Sequence, residues 1–171
     1  MNITKSSPEQ SGKGNQSPFY SKALDIFRIQ ATLNPVYEHY LKFLGVEVST
    51  VKDLTTIPFM PIEFFKFHSV KTNDWQAEKV FESSGTTGIQ TSRHFVRHLE
   101  AYHSNTKEIF EKTFGALDEK IIIGLLPSYL ERENSSLISM VEYFVRLSAN
   151  PRSGFFLNEY DYLMKLLKKE K

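Results

Sequence analysis

Apolar residues recur at three- and four-residue spacing from Tyr20 through Leu24, Phe27 and Ala31, the period of one helix face. The run stops before Asn34-Pro35, because a residue that precedes proline is pushed out of the α region. A second helical stripe through Val36, Tyr40 and Phe43 ends at Gly45, which suits the left-handed position that closes a helix. Thr56-Ile57-Pro58-Phe59-Met60-Pro61 then reads as an extended apolar linker, and its aromatic density predicts a buried hinge. Pro61 stands at the first turn of a short helix through Phe64 and Phe67. Residues 79–82 and 92–96 read as two short strands. Leu99, Tyr102, Ile109 and Phe110 make the next helical stripe, followed by residues 121–126 as a buried strand. Ser135 or Ser136 caps a further helix with Leu137, Val141, Phe144 and Val145 on its inner face. Residues 150–154 make a turn, Phe155-Phe156-Leu157 a short strand, and residues 160–169 a basic-ended amphipathic helix with Leu163, Leu166 and Leu167.

Helices that alternate with strands predict an α/β fold with helices packed on a mixed sheet, and no internal repeat is visible. A crossover helix normally leads to a parallel strand, so the last helix leaves two readings open. It is an ordinary helical terminus with a solvated Lys168-Lys169-Glu170-Lys171 tail, or the domain is incomplete.

Residues 1–18 are rich in Ser, Gln, Asn, Lys and Gly and offer little to bury, so they are expected to be a disordered leader to a domain over 19–171. They lack the apolar segment of a secretory signal. The longest apolar run, residues 121–127, is far short of the roughly 20 that a membrane helix needs. With 40% hydrophobic residues in a chain of 171, there is enough to build a core. The 21 basic residues nearly balance the 20 acidic ones, so the overall charge recruits neither nucleic acid nor an anionic membrane. Cysteine is absent, which excludes a disulfide framework, a thiolate metal site and covalent thiol chemistry on this chain itself. A soluble cytoplasmic protein is the expectation.

The candidate chemistry lies in Phe81-Glu82-Ser83-Ser84-Gly85-Thr86-Thr87-Gly88. Gly85 and Gly88 let a backbone take positive φ or approach a ligand closely, and Ser83, Ser84, Thr86 and Thr87 add hydroxyl donors to a row of N–H groups. Such a segment wraps a phosphate, or it is the polar loop of a hairpin. It is not a Walker A loop, because Ile89 stands where that motif has lysine. Arg93 and His94 follow closely enough to face an anion, the other reading being solvated side chains on a hairpin strand.

Three blocks, Ile57-Pro58-Phe59-Met60-Pro61-Ile62-Glu63-Phe64-Phe65-Lys66, the loop just described, and Leu125-Leu126-Pro127-Ser128-Tyr129-Leu130-Glu131-Arg132, together resemble the LuxE-type acyl-protein synthetase family. Those proteins belong to the adenylate-forming superfamily with acyl-CoA ligases and phenylacetate-CoA ligases, whose phosphate-loop signature is Ser-Ser/Thr-Gly-Thr-Thr-Gly. The resemblance runs from about Phe19 to the last residue and implies the N-terminal portion of such a domain.

It also implies a two-step reaction. A carboxylate, a long-chain fatty acid in this family, attacks the α-phosphate of ATP to give an acyl-adenylate and pyrophosphate, and the acyl group then passes to a thiol. By the same resemblance Ser83, Ser84, Gly85, Thr86, Thr87 and Gly88 hold the β- and γ-phosphates, with Mg²⁺ bridging phosphate oxygens. No local aspartate pair announces its ligands. Pro127, Ser128 and Tyr129 are similar to the segment at the acyl and adenylate pocket; Tyr129 is the candidate lining side chain, or a core residue. An acyl-donor or acceptor protein is the implied partner. The chain departs from the family after Gly154, where nothing matches the adenosine and ribose motifs or the lysine-bearing mobile domain, and it has no acceptor cysteine. Those departures leave a truncated, non-catalytic nucleotide-binding or interaction module as the alternative.

Overall fold

The computed structural model describes residues 17–83, 90–125 and 133–168, and within them a mixed α/β chain forms two compact units. The first unit holds Met1–Phe64 and His68–Asp74, the second Phe65–Phe67 and Trp75–Lys171.

In the first unit, α1 (Pro18–Leu33) starts from Ser17, whose Oγ accepts from the Tyr20 amide at 3.2 Å, with proline in the first turn. The expected helix thus begins a residue earlier than Phe19, inside the span expected to be a leader. Asn34 ends α1 and caps α2 (Pro35–Phe43), its Oδ1 accepting from the Tyr37 amide at 3.3 Å. Gly45 takes the expected left-handed turn at φ +67°. Leu24, Phe27 and Ala31 are buried as the spacing predicts, and they meet Tyr37, Leu41 and Val51.

The inner face of α2 differs from expectation. Tyr37 and Leu41 are buried, whereas Phe43 is 87% exposed. Both 36/40/43 and 37/41 satisfy helical spacing. The second set wins because the Tyr37 ring meets Phe27 edge-on and its hydroxyl donates to the Pro58 carbonyl at 2.6 Å. The linker is not a buried hinge either. After a 3₁₀ turn at Leu54–Thr56, Ile57 and Met60 pack on the core while Phe59 is 81% exposed. A short α3 (Phe64–Phe67) follows, with Phe64 in the first unit and residues 65–67 in the second.

The second unit opens with the expected hairpin. β1 (Lys79–Glu82) pairs antiparallel with β2 (Arg93–Val96), Phe81 opposite His94 and Glu82 opposite Arg93. α4 (Leu99–Phe114) leads through a 3₁₀ turn at Leu117–Glu119 to β3 (Ile123–Gly124). α5 (Ser136–Ser148) then crosses over to β4 (Gly154–Phe155), parallel to β3, and α6 (Tyr160–Lys168) follows. The single mixed sheet that was expected is, among the described residues, a pair of two-stranded sheets, one antiparallel and one parallel. Of the strand expected over 121–126, Ile123 and Gly124 have a ladder partner among the described residues, and Leu126 lies outside them. A Cβ at Gly124 would lie 3.0 Å from Phe155 and 3.2 Å from Val141, so glycine lets β4 and α5 close on β3.

Helix faces again shift by a residue or so from the apolar stripes. α4 turns Tyr102, His103 and Phe110 towards the unit and leaves Ile109 67% exposed, since each residue rotates about 100°. On α5, capped by Ser135, the buried set is Ile138, Ser139, Tyr143, Phe144 and Ser148; Val141 and Val145 are half-buried and Leu137 is exposed. Leu117, Tyr143 and Phe144 form the core, with Phe110, Ile122, Met140 and Leu147 against it. α6 buries Leu163 and Leu166 but not Leu167. No helix among the described residues is long and apolar enough to cross a membrane.

Candidate functional site

Strand alternation builds the stem of the Ser/Thr/Gly loop. Phe81 points inward onto Tyr102, ring centroids 5.0 Å apart, which turns the Glu82 side chain outward and leaves it exposed. The Ser83 amide donates to the Ser92 carbonyl at 3.0 Å, and the Ser92 amide donates to Ser83 Oγ at 3.0 Å. Ser83 therefore closes the hairpin with its hydroxyl oxygen, and a hydroxyl that accepts still has its own proton to donate. Ser84, Gly85, Thr86, Thr87 and Gly88 lie outside the described residues, as do Pro127, Ser128 and Tyr129.

Residues that flank these segments are described. Because Ser83 directs its N–H towards β2, the Glu82 N–H points to the other edge of β1, where it donates to the Asn134 carbonyl at 2.9 Å. Lys79 Nζ is 3.9 Å from the Glu133 carboxylate on the same side. The third block leaves β3 through Leu125, and the chain beyond it is fastened at Asn134 to Glu82, next to Ser83. On the β2 side, Gln90 Nε2 donates to the Lys66 carbonyl at 2.7 Å, and the His94 ring stacks on Phe65 at 6.0 Å with planes 24° apart. The last residues of the earliest block thus meet the strand that leaves the loop.

Arg93 and His94 are strand neighbours and face opposite sides of the hairpin. The Arg93 guanidinium lies 5.9 Å from the Phe95 ring centroid, leaning along β2 away from the loop, while His94 lies over Phe65. One of them at most faces a ligand held by the loop.

Glu78 sets the start of α4, its carboxylate accepting from the Leu99 amide at 2.8 Å and lying 3.3 Å from His98 Nδ1. The amide bond first, then His98, holds its carboxyl below the usual range. No group of three His, Asp or Glu side chains able to hold a metal occurs among the described residues. The Ser83 hydroxyl proton suits an anionic oxygen, and exposed Glu82 is the carboxylate nearest in sequence to the loop.

Sequence reading passed over a cluster between α4 and α5. His103 Nε2 lies 3.0 Å from Ser139 Oγ, and its ring stacks on Tyr143 at 4.5 Å with planes 9° apart. Arg146 covers Tyr143 at 5.3 Å, and the Tyr102 hydroxyl donates to the Ser136 carbonyl at 2.9 Å. Polar residues on an inner face carry no apolar signal, so periodicity could not find them. Burial lowers the His103 pKa from 6.5 and Arg146 adds to this, against Glu100 and Glu142, which raise it. With the folded value below the unfolded one, stability is fully present above about pH 6.5 and is lost as pH falls below it. Urea midpoints at pH 7.5 and 5.5 are expected to differ more for the natural chain than for His103→Gln; parallel shifts would remove His103 from the pH dependence.

No protein-family model, curated protein or solved structure matches this chain.

Proposed function

We propose that this chain serves ATP-dependent activation of a carboxylic acid, a fatty acid by resemblance, as an acyl-adenylate that is later passed to a thiol. The observation that carries the reading is the convergence at β1–β2. Glu82 of the loop block is bonded to Asn134, just past the third block, and Gln90, just past the loop block, is bonded to Lys66 of the first. In this reading Ser83, Ser84, Gly85, Thr86, Thr87 and Gly88 hold the β- and γ-phosphates, and Pro127, Ser128 and Tyr129 line the acyl and adenylate pocket.

The chemistry asks for positioning and charge relief. A carboxylate oxygen bonds to the α-phosphorus while the bond to the bridging oxygen breaks, and charge grows on the departing pyrophosphate. Fixed hydroxyl and amide donors offset that charge without reorganising. A Mg²⁺ ion bound with the phosphates would offset part of their charge, and exposed Glu82 is the carboxylate that would help to hold it. These 171 residues contain no cysteine, so in this reading the acceptor thiol lies outside them.

The second reading is a module that binds nucleotide without turnover. Downstream coding sequence that carries the adenosine and ribose motifs would decide for the ligase. For the 171-residue chain the expected result is measurable binding of Mg·ATP and pyrophosphate, with little or no fatty-acid-dependent ATP–pyrophosphate exchange. Failure to bind either ligand would refute both readings, and robust exchange would show that the chain suffices for adenylation.

A further inference from the structure

α4 meets α5 through two kinds of contact. Towards their C-terminal halves the contact is apolar, the Phe110 ring 4.9 Å from Phe144, with buried Leu117 in the same cluster. Towards their N-terminal halves it is polar: His103 Nε2 lies against Ser139 Oγ, the His103 ring stacks on Tyr143, and the Tyr102 hydroxyl donates to the Ser136 carbonyl. Phe81 of β1 rests on the polar half. Its ring is 5.0 Å from Tyr102, and the Tyr102 ring is 5.6 Å from His103, so a row of rings runs from the hairpin to α5.

A proton on His103 works against the polar half alone. Imidazolium donates at both nitrogens, so Ser139 Oγ, in a residue 6% exposed, has to accept where it can donate to the neutral ring. The Tyr143 ring already carries the Arg146 guanidinium at 5.3 Å. Glu100 on α4 and Glu142 on α5 favour the charged ring, and Lys107, the other cation near Tyr143, is paired with Glu111 at 2.8 Å. Burial outweighs the two glutamates and disfavours the charge. His103 is half-buried, so its ring reaches water by leaving the stack.

We propose that His103 is an acid-sensitive latch: on protonation its ring leaves Tyr143, the N-terminal halves of α4 and α5 part, and the hairpin that rests on Tyr102 loosens, while the Phe110–Phe144 half stays closed. The latch goes beyond the adenylation reading and does not depend on it.

Amide exchange of the whole chain at pH 7.5 and 5.5, each rate taken relative to the unstructured peptide at the same pH, tests it. The closed form holds the neutral ring, so closure is fully favoured above about pH 6.5 and weakens as pH falls below it, by at most about tenfold per pH unit for one proton. Protection over residues 79–82 and 99–106 is expected to fall by about threefold to tenfold, with residues 108–114 and 141–147 unchanged. The His103 ring, followed by NMR, should titrate at the pH where that protection is lost. His103→Gln is expected to abolish the loss, and His94→Gln and His98→Gln, at the other histidines next to the hairpin, to keep it. No loss of protection, a loss spread evenly over the unit, a His103 midpoint away from the loss, or a loss that survives His103→Gln would each overturn the proposal.

Discussion

Replacing Thr86 and Thr87 together by valine is expected to weaken binding of Mg·ATP and pyrophosphate by at least about a hundredfold. Valine keeps the branched shape and removes only the hydroxyl, so the change tests hydrogen bonding rather than volume. A hydrogen bond to a charged partner contributes roughly 1.5–3 kcal/mol, and two lost together correspond to about two orders of magnitude or more in Kd. Calorimetric titration reads the affinity, and a urea midpoint taken on the same preparation separates lost binding from lost structure. Unaltered affinity would mean that these hydroxyls do not touch phosphate and that the segment is a hairpin turn.

Leu117→Ala should cost about 3 kcal/mol, within the usual range for a buried leucine. Leu117 is 1% exposed and packs with Tyr143 and Phe144. Its backbone has little freedom to collapse into the space, because its amide donates to Glu111 Oε1 at 3.1 Å and Glu111 is itself held by Lys107 at 2.8 Å. That loss is a large share of the roughly 5–15 kcal/mol that stabilises a typical domain. Phe43→Ala removes more carbon but from a side chain 87% exposed, and its cost should stay within about 0.5 kcal/mol. Urea denaturation of the two variants side by side gives the comparison; equal losses would contradict the assignment of the core.

That contrast marks where sequence pattern succeeds and where it stops. Local punctuation was readable: Asn34-Pro35 divides α1 from α2, Gly45 turns left-handed, Ser135 caps α5, and residues 79–82 and 92–96 form the hairpin, β2 starting one residue later. These features depend on neighbouring residues, so the chain announces them. The choice of inner face was not readable, because α2 carries overlapping apolar rows and the partner selects one of them. α4 and α5 half-bury His103 and bury Ser139, polar side chains that reach the interior by meeting each other from distant parts of the sequence.

The candidate site divides in the same way. Residue types in the loop fit a phosphate cradle and a hairpin turn alike, so the segment alone does not choose between them. Neither the Glu82–Asn134 bond between main-chain groups nor the Gln90 bond to the Lys66 carbonyl leaves a trace in side-chain pattern. Those two bonds bring the separate blocks together.

Hydrogen–deuterium exchange with and without Mg·pyrophosphate tests that convergence most directly, because it reads the backbone amides on both segments at once. Protection is expected together in peptides over residues 81–91 and 125–134, and the Thr86→Val, Thr87→Val variant should lose both. Protection confined to one of the two segments, or to neither, would contradict a shared polyphosphate site.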